Sequence, residues 1–317
     1  CMAVLGSACA APSPDLTPAP VQAGVAEANG ITIAYESFGP VDRETVLLIA
    51  GYASQMTMWP DELCHELVRR GYRVVRFDNR DVGLSTHLDH LGQPDWQAMQ
   101  DAYDAGQPLP VPYTLEDMAG DAVGLLDALG VDSAHIVGGS MGGAIAQLVA
   151  LDYPERTRSL TSISGDTGNP EMPGPTEDVL ALPPPPPAGS DIETIIASEV
   201  LVWEVLGSPA YPTDEDVLRE RIRREVERSY DPTDHERQDA AIFAAGDRRE
   251  RLRRLDVPTV VLHGDADLIV PVENGRDTAA SIPGAELIIV PGMGHDLPLQ
   301  LVPTFADAIT QAAGQRD

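Results

Sequence analysis

Apolar residues fall in short, uninterrupted runs along most of the chain. Residues 45–50, 72–78, 134–138, 160–164, 259–263 and 286–290 each hold an apolar stretch too short for a helix and bounded by turn residues. Such runs suit strands buried on both faces, as in a parallel sheet. Ahead of them, Asn29-Gly30 separates 25–27 from 31–35, which is a hairpin signal. Helical periodicity fills the gaps. Residues 61–70 and 144–151 read as helices, and 115–129 places Leu115, Met118, Ala122, Val123, Leu125, Leu126 and Leu129 on one side. Thr114 and Asp117 supply a capping-box start to that last helix, and Gly130 stops it. Strands alternating with helices predict an α/β fold with a doubly wound, mostly parallel sheet.

The rhythm breaks between 166 and 255. Gly/Pro-rich sequence, including the prolines of 183–187, leads into helical patterns over 191–206, 214–229 and 234–245. The first carries Ile192, Ile195, Ile196, Val200, Val202, Trp203 and Leu206, more apolar surface than one buried stripe requires. This predicts a helical cap inserted at 166–255, with some of these residues facing a substrate pocket, into a core made of 25–165 and 256–317. Residues 1–24 are Pro/Ala-rich and are expected not to pack.

Asp and Glu number 50 against 21 Lys and Arg, a net charge of −29 over 317 residues. Such a surface repels nucleic-acid phosphates and anionic membranes. No run reaches the roughly 18 apolar residues of a membrane span. The three cysteines, Cys1, Cys9 and Cys64, do not make a disulfide framework. Residues 2–9 are small and apolar, and Ala10-Ala11-Pro12-Ser13-Pro14 follows. That resembles the end of a bacterial lipoprotein signal. Two readings stand: a lipidated Cys9 anchoring an exported protein at the cell envelope, or an unstructured tail on a cytoplasmic one.

Candidate chemistry centres on Gly138-Gly139-Ser140-Met141-Gly142, a G-x-S-x-G run between an apolar strand and a buried helix. That context is the one a nucleophile needs: a strained turn that lifts the serine Oγ above the sheet at a helix N-terminus. The partners then follow in the order acid, histidine. His295, in Pro291-Gly292-Met293-Gly294-His295, is the base. The acid is Asp267, in His263-Gly264-Asp265-Ala266-Asp267, with Asp166 and Asp265 as rivals. The oxyanion donors are the backbone N–H groups of Met141 and of Tyr52, in the turn after 45–50. No H-E-x-x-H or C-x-x-C spacing occurs, so neither a metal nor an organic cofactor is expected.

These motifs, with Leu47-Leu48-Ile49-Ala50-Gly51, Trp59-Pro60-Asp61-Glu62 and residues 76–85, resemble the cofactor-free α/β-hydrolases, from about Ala26 to Ala313. Within them the chain is similar to the aclacinomycin methylesterase-like branch and related bacterial lipase/esterases. The resemblance implies the same triad, Ser140, Asp267 and His295, and a structural brace from Asp78 and Arg80. Many relatives have His-Gly where this chain has Ala50-Gly51; the backbone donor survives that change. The expected activity is hydrolysis of small carboxylic esters through an acyl-enzyme. A lipase or phospholipase, and thioester, lactone, carbon–carbon or perhydrolytic chemistry on the same scaffold, are the alternatives. A non-catalytic ligand-binding protein would carry a broken triad.

Overall fold

The computed structural model describes residues 21–187, 189–231 and 235–315. Its centre is an eight-stranded sheet of β1 (Val21–Ala28), β2 (Ile31–Phe38), β3 (Thr45–Ile49), β4 (Arg73–Phe77), β5 (Ala134–Gly139), β6 (Thr157–Ile163), β7 (Thr259–Gly264) and β8 (Glu286–Val290). The spatial order is β1-β2-β4-β3-β5-β6-β7-β8. β1 and β2 form an antiparallel hairpin that meets β4 antiparallel; every pairing from β4 through β3 to β8 is parallel.

The core helices are α1 (Asp61–Arg69), α2 (Trp96–Asp104), α3 (Leu115–Ala128) and α4 (Met141–Asp152). Between β6 and β7 come α5 (Glu177–Leu180), α6 (Ile192–Leu206), α7 (Glu215–Arg228), α8 (Glu236–Ala244) and α9 (Arg249–Leu252), and the core resumes with α10 (Val272–Ser281) and α11 (Val302–Gly314). The apolar strand runs have a direct cause. Leu47 and Ile49 point into one core cluster with α3 and α4, while Val46 and Leu48 point into a second with α1 and α11. Successive side chains serve opposite faces, and both faces are covered, so no position from Val46 to Ile49 can be polar at low cost. The capping box on α3 is present: Thr114 Oγ1 accepts from Asp117 N–H, and Asp117 Oδ2 accepts from Thr114 N–H.

The hairpin is longer than the sequence pattern predicts. Val21–Gly24, assigned above to the non-packing tail, pair with Phe38–Tyr35 in β1. The reason is that β1 is an edge strand held by backbone hydrogen bonds. Val21 and Val25 are exposed, so it buries too little to leave an apolar signature. The rest of the tail, with Cys1 and Cys9, lies outside the described residues. Cys64 is free and buried. Among the described residues no helix is long and apolar enough to cross a membrane, and no cluster of His, Cys, Asp and Glu could hold a metal ion.

The insertion is helical where periodicity predicted it. Asp191 and Asp214 are the N-caps of α6 and α7, accepting from Thr194 N–H and from Asp216 and Val217 N–H. The apolar excess of α6 goes largely to α7, where Ile196 and Val200 pack on Leu218 and Ile222. Trp203 lies under the Arg221 guanidinium, 5.1 Å away.

Candidate active site

Ser140 occupies the single residue between β5 and α4, at φ 55° and ψ −124°. A non-glycine residue in that region is strained, and the strain persists only because neighbours fix the turn. Ser140 N–H donates to Ile163 O at 2.9 Å, and Gly143 N–H donates to Ser140 O at 2.8 Å. The flanking glycines are required by close approach. A Cβ on Gly138 would run into the Gly142 carbonyl, and one on Gly142 into the carbonyl of Ile49 at the end of β3.

Three side chains from three strand ends converge. Ser140 Oγ lies 3.0 Å from His295 Nε2, and His295 Nδ1 lies 2.7 Å from Asp267 Oδ2. Asp267 can only accept when ionised, so Nδ1–H donates to it; Nε2 is then free to accept the Ser140 hydroxyl proton. Asp267 Oδ1 accepts from Val270 N–H at 2.9 Å and Ile269 N–H at 3.1 Å. Burial works to raise the Asp267 pKa, but the His295 ring, the Val270 N–H and His263 outweigh it and hold the carboxyl below the usual range.

The rivals for the acid are engaged elsewhere. Asp265 Oδ1 accepts from Gly292 N–H at 2.6 Å, capping the turn that carries His295. Asp166 accepts from Gly168 N–H at 2.6 Å and pairs with Arg248 at 3.1 Å. His263, which the motif reading left without a role, lies 3.6 Å from Asp267 Oδ2. Burial lowers its pKa, and its Nε2–H donates to Val270 O at 2.7 Å. It supports the turn whose N–H groups hold Asp267.

The turn after β3 abuts Ser140: a Cβ on Gly51 would lie 3.2 Å from Ser140 Cβ. Its N–H groups are nearly all occupied. Gly51 donates to Met58 Sδ, Ala53 to Gln238 Oε1 and Ser54 to Gly51 O. Tyr52 N–H alone in this turn has no protein acceptor among the described residues. Met141 N–H is the first of α4, and helix geometry gives it no intrahelical acceptor. The Ala50 carbonyl accepts from the Asn79 side-chain amide at 3.0 Å, so the start of this turn is held from the loop after β4.

The loop after β4 is braced as the resemblance implied. Asp78 accepts from Met56 N–H at 2.7 Å, Leu84 N–H at 2.9 Å and Arg228 at 2.7 Å. Arg80 makes a two-pronged bond to Asp121 at 2.6 and 2.7 Å. The His295 loop is tied to the end of α6: His295 N–H donates to Leu206 O at 2.8 Å, and Gly294 N–H to Ser208 Oγ at 2.9 Å. Ser208 in turn donates to the buried Asp296.

Comparison with known proteins adds the lineage. The profile of the α/β hydrolase fold family matches residues 44–300. A rhodomycin D methylesterase from Streptomyces sp. strain C5 is 30% identical over 301 residues, 88% of this chain and 94% of the relative. A 2-hydroxy-6-oxononadienedioate/2-hydroxy-6-oxononatrienedioate hydrolase from Cupriavidus pinatubonensis is 28% identical, over 80% of each chain. Among solved structures, a meta-cleavage product hydrolase from Pseudomonas fluorescens superposes with a TM-score of 0.69 at 20% identity, covering 93% of this chain and 98% of that one.

Proposed function

The chain belongs to the α/β hydrolase fold family, and on that premise we propose that it is a serine carboxylic-ester hydrolase working through an acyl-enzyme. One observation carries the reading: the unbroken hydrogen-bond chain from Ser140 Oγ to His295 at 3.0 Å and on to Asp267 at 2.7 Å. His295 Nε2 takes the hydroxyl proton as Oγ attacks the ester carbonyl. Tyr52 and Met141 N–H receive the negative charge that develops on the carbonyl oxygen. The tetrahedral intermediate collapses, Nε2–H protonates the departing alkoxide, and the acyl group stays on Ser140. Water, deprotonated by His295, attacks the acyl-enzyme and regenerates the serine.

The methylesterase relative supports an ester of a small alcohol as substrate. The helical insertion, 166–255, is the cap that shapes the acyl pocket. A second reading, carbon–carbon bond hydrolysis, is favoured by the dienedioate hydrolase relative, because the same serine could attack a ketone carbonyl.

The test is a panel of p-nitrophenyl and methyl esters of rising acyl length, run on wild type and Ser140→Ala. Short and medium chains should be turned over by the wild type only. Equal activity in the two proteins rules out Ser140 as nucleophile, and turnover of a vinylogous 1,5-diketone in place of every ester favours the second reading.

A further inference from the structure

We infer that Gln238, on α8 of the insertion, is a positioning residue that sets the oxyanion donor Tyr52 N–H; this rests on the esterase reading above. Three consecutive residues of α8 reach three different points beside the site. Arg237 makes a two-pronged pair with Asp81, at 2.8 Å on each arm. Asp239 Oδ2 accepts from Tyr52 Oη–H at 2.7 Å. Between them Gln238, fully buried, bridges the loops that follow β3 and β4. Its Oε1 accepts from Ala53 N–H at 2.9 Å, and its Nε2 donates to Arg80 O at 2.9 Å.

The orientation of this amide is fixed by its partners, because an N–H needs an acceptor and a carbonyl needs a donor. Ala53 sits at φ 53°, a left-handed conformation that a residue with a Cβ disfavours. The peptide linking Tyr52 to Ala53 therefore depends on an external hold, and Gln238 Oε1 supplies it. Tyr52 is gripped at both ends by α8: its ring by Asp239 and the following N–H by Gln238. Its own N–H has no protein acceptor among the described residues, one position after Gly51, where an added Cβ would lie 3.2 Å from Ser140 Cβ. Tyr52 N–H belongs to the preceding peptide, Gly51–Tyr52, so freeing the Tyr52–Ala53 peptide misplaces the donor by letting the Tyr52 Cα and the turn around it shift. Gln238 touches no reacting atom; it acts through the turn.

A side chain that merely stabilised the fold would lower the melting temperature and leave the folded enzyme's kinetics alone. A positioning residue makes a different prediction, because misaiming an oxyanion donor weakens the transition state and not the ground state. Gln238→Met keeps the volume and removes both hydrogen bonds. Its kcat should fall about 10- to 100-fold, short of or equal to the loss of a whole donor, with KM within about threefold of wild type. Affinity for a trifluoromethyl ketone, whose adduct with Ser140 carries the oxyanion, should fall by a similar factor. Gln238→Glu is the conservative variant. When protonated it can accept from Ala53 N–H and donate to Arg80 O; when ionised it sets a carboxylate against the Arg80 carbonyl. Its kcat should be close to wild type at low pH and decline on the alkaline side, where the wild type does not.

The controls are wild type and Ser140→Ala on the best ester of the panel. An inactive wild type, or an active Ser140→Ala, removes the esterase reading and this inference with it. With those controls in order, wild-type kcat and ketone affinity in Gln238→Met overturn the inference alone. If the Met variant does not fold, a wild-type pH profile in Gln238→Glu overturns it, and the added alkaline decline upholds it.

Discussion

On the proposed mechanism, replacing Asp267 by Asn isolates the acid's role, because the change is nearly isosteric and its consequences can be followed atom by atom. The carboxylate accepts from His295 Nδ1 on Oδ2, and from Val270 and Ile269 N–H on Oδ1. In Asp267→Asn the amide oxygen stays with the two backbone donors, and the NH2 turns to His295. Nδ1 must then accept, so the ring proton moves to Nε2 and points at Ser140 Oγ. The base is lost while the geometry is kept. By the general behaviour of such triads, kcat should fall by about 10³ to 10⁴, or roughly 4–5.5 kcal/mol of barrier. Initial rates on a p-nitrophenyl ester between pH 6 and 9 measure it. A variant within tenfold of wild type would place the acid at Asp166 or Asp265 and refute the reasoning. A second arm reads the same carboxylate through stability. Its native pKa lies below the unfolded value of about 3.9. The native state thus binds fewer protons, and the stabilisation is fully present above that unfolded value and lost as pH falls through the native one. Urea midpoints of wild type and Asp267→Asn should therefore converge as pH drops below about 4. A gap that stays constant to the lowest usable pH would refute the charge assignment.

Two further predictions test the surroundings. Asp166→Asn loosens the pairing with Arg248 and should lower stability by about 1–2 kcal/mol in thermal melts, with kcat within about threefold of wild type; a kcat loss approaching that of Asp267→Asn would return Asp166 to the triad. The Cys64 thiol is pushed up to about 12 by burial, despite the opposing charge of Arg76. Iodoacetamide should therefore modify Cys64 only in denaturant, as read by peptide mass spectrometry, and native labelling at the rate of an exposed thiol would contradict its burial.

The sheet was legible because its strands are covered on both faces, which writes burial into every residue of 45–49 and 134–139. The elbow was legible because its turn tolerates no side chain at Gly138 or Gly142. Chain order led to Asp267 and His295, but the separation of Asp267 from Asp265 became visible only when Gly292 N–H was found to occupy Asp265. Other features left no trace in the pattern. Val21–Gly24 pair through backbone alone. Arg237 and Gln238 are buried yet polar, so helical periodicity reads them as a solvated face. Their partners at Asp81, Arg80 and Ala53 lie more than 150 residues away along the chain, beyond any local signal. The apolar excess of α6, expected to line a pocket, is largely taken up by α7.

The joints between insertion and core bear on how such a molecule can be rebuilt. β6 pairs directly with β7, so everything between them hangs from two adjacent strand ends and could be exchanged without disturbing sheet register. Loop-closure entropy would barely object to a longer or shorter replacement. The obstacle is local: Leu206 and Ser208 hold the backbone of the His295 loop, and Gln238 holds the turn at Ala53. A graft of foreign cap sequence that cuts at the strand ends would discard both holds. One that keeps 206–208, α8 and the end of α7 that carries Arg228, and replaces only the first turns of α7, would leave these holds on the site in place. On the proposed reading, in which the insertion shapes the substrate pocket, variation is therefore cheapest in the first turns of α7, and most costly in the segments that look, from sequence, like ordinary helix ends.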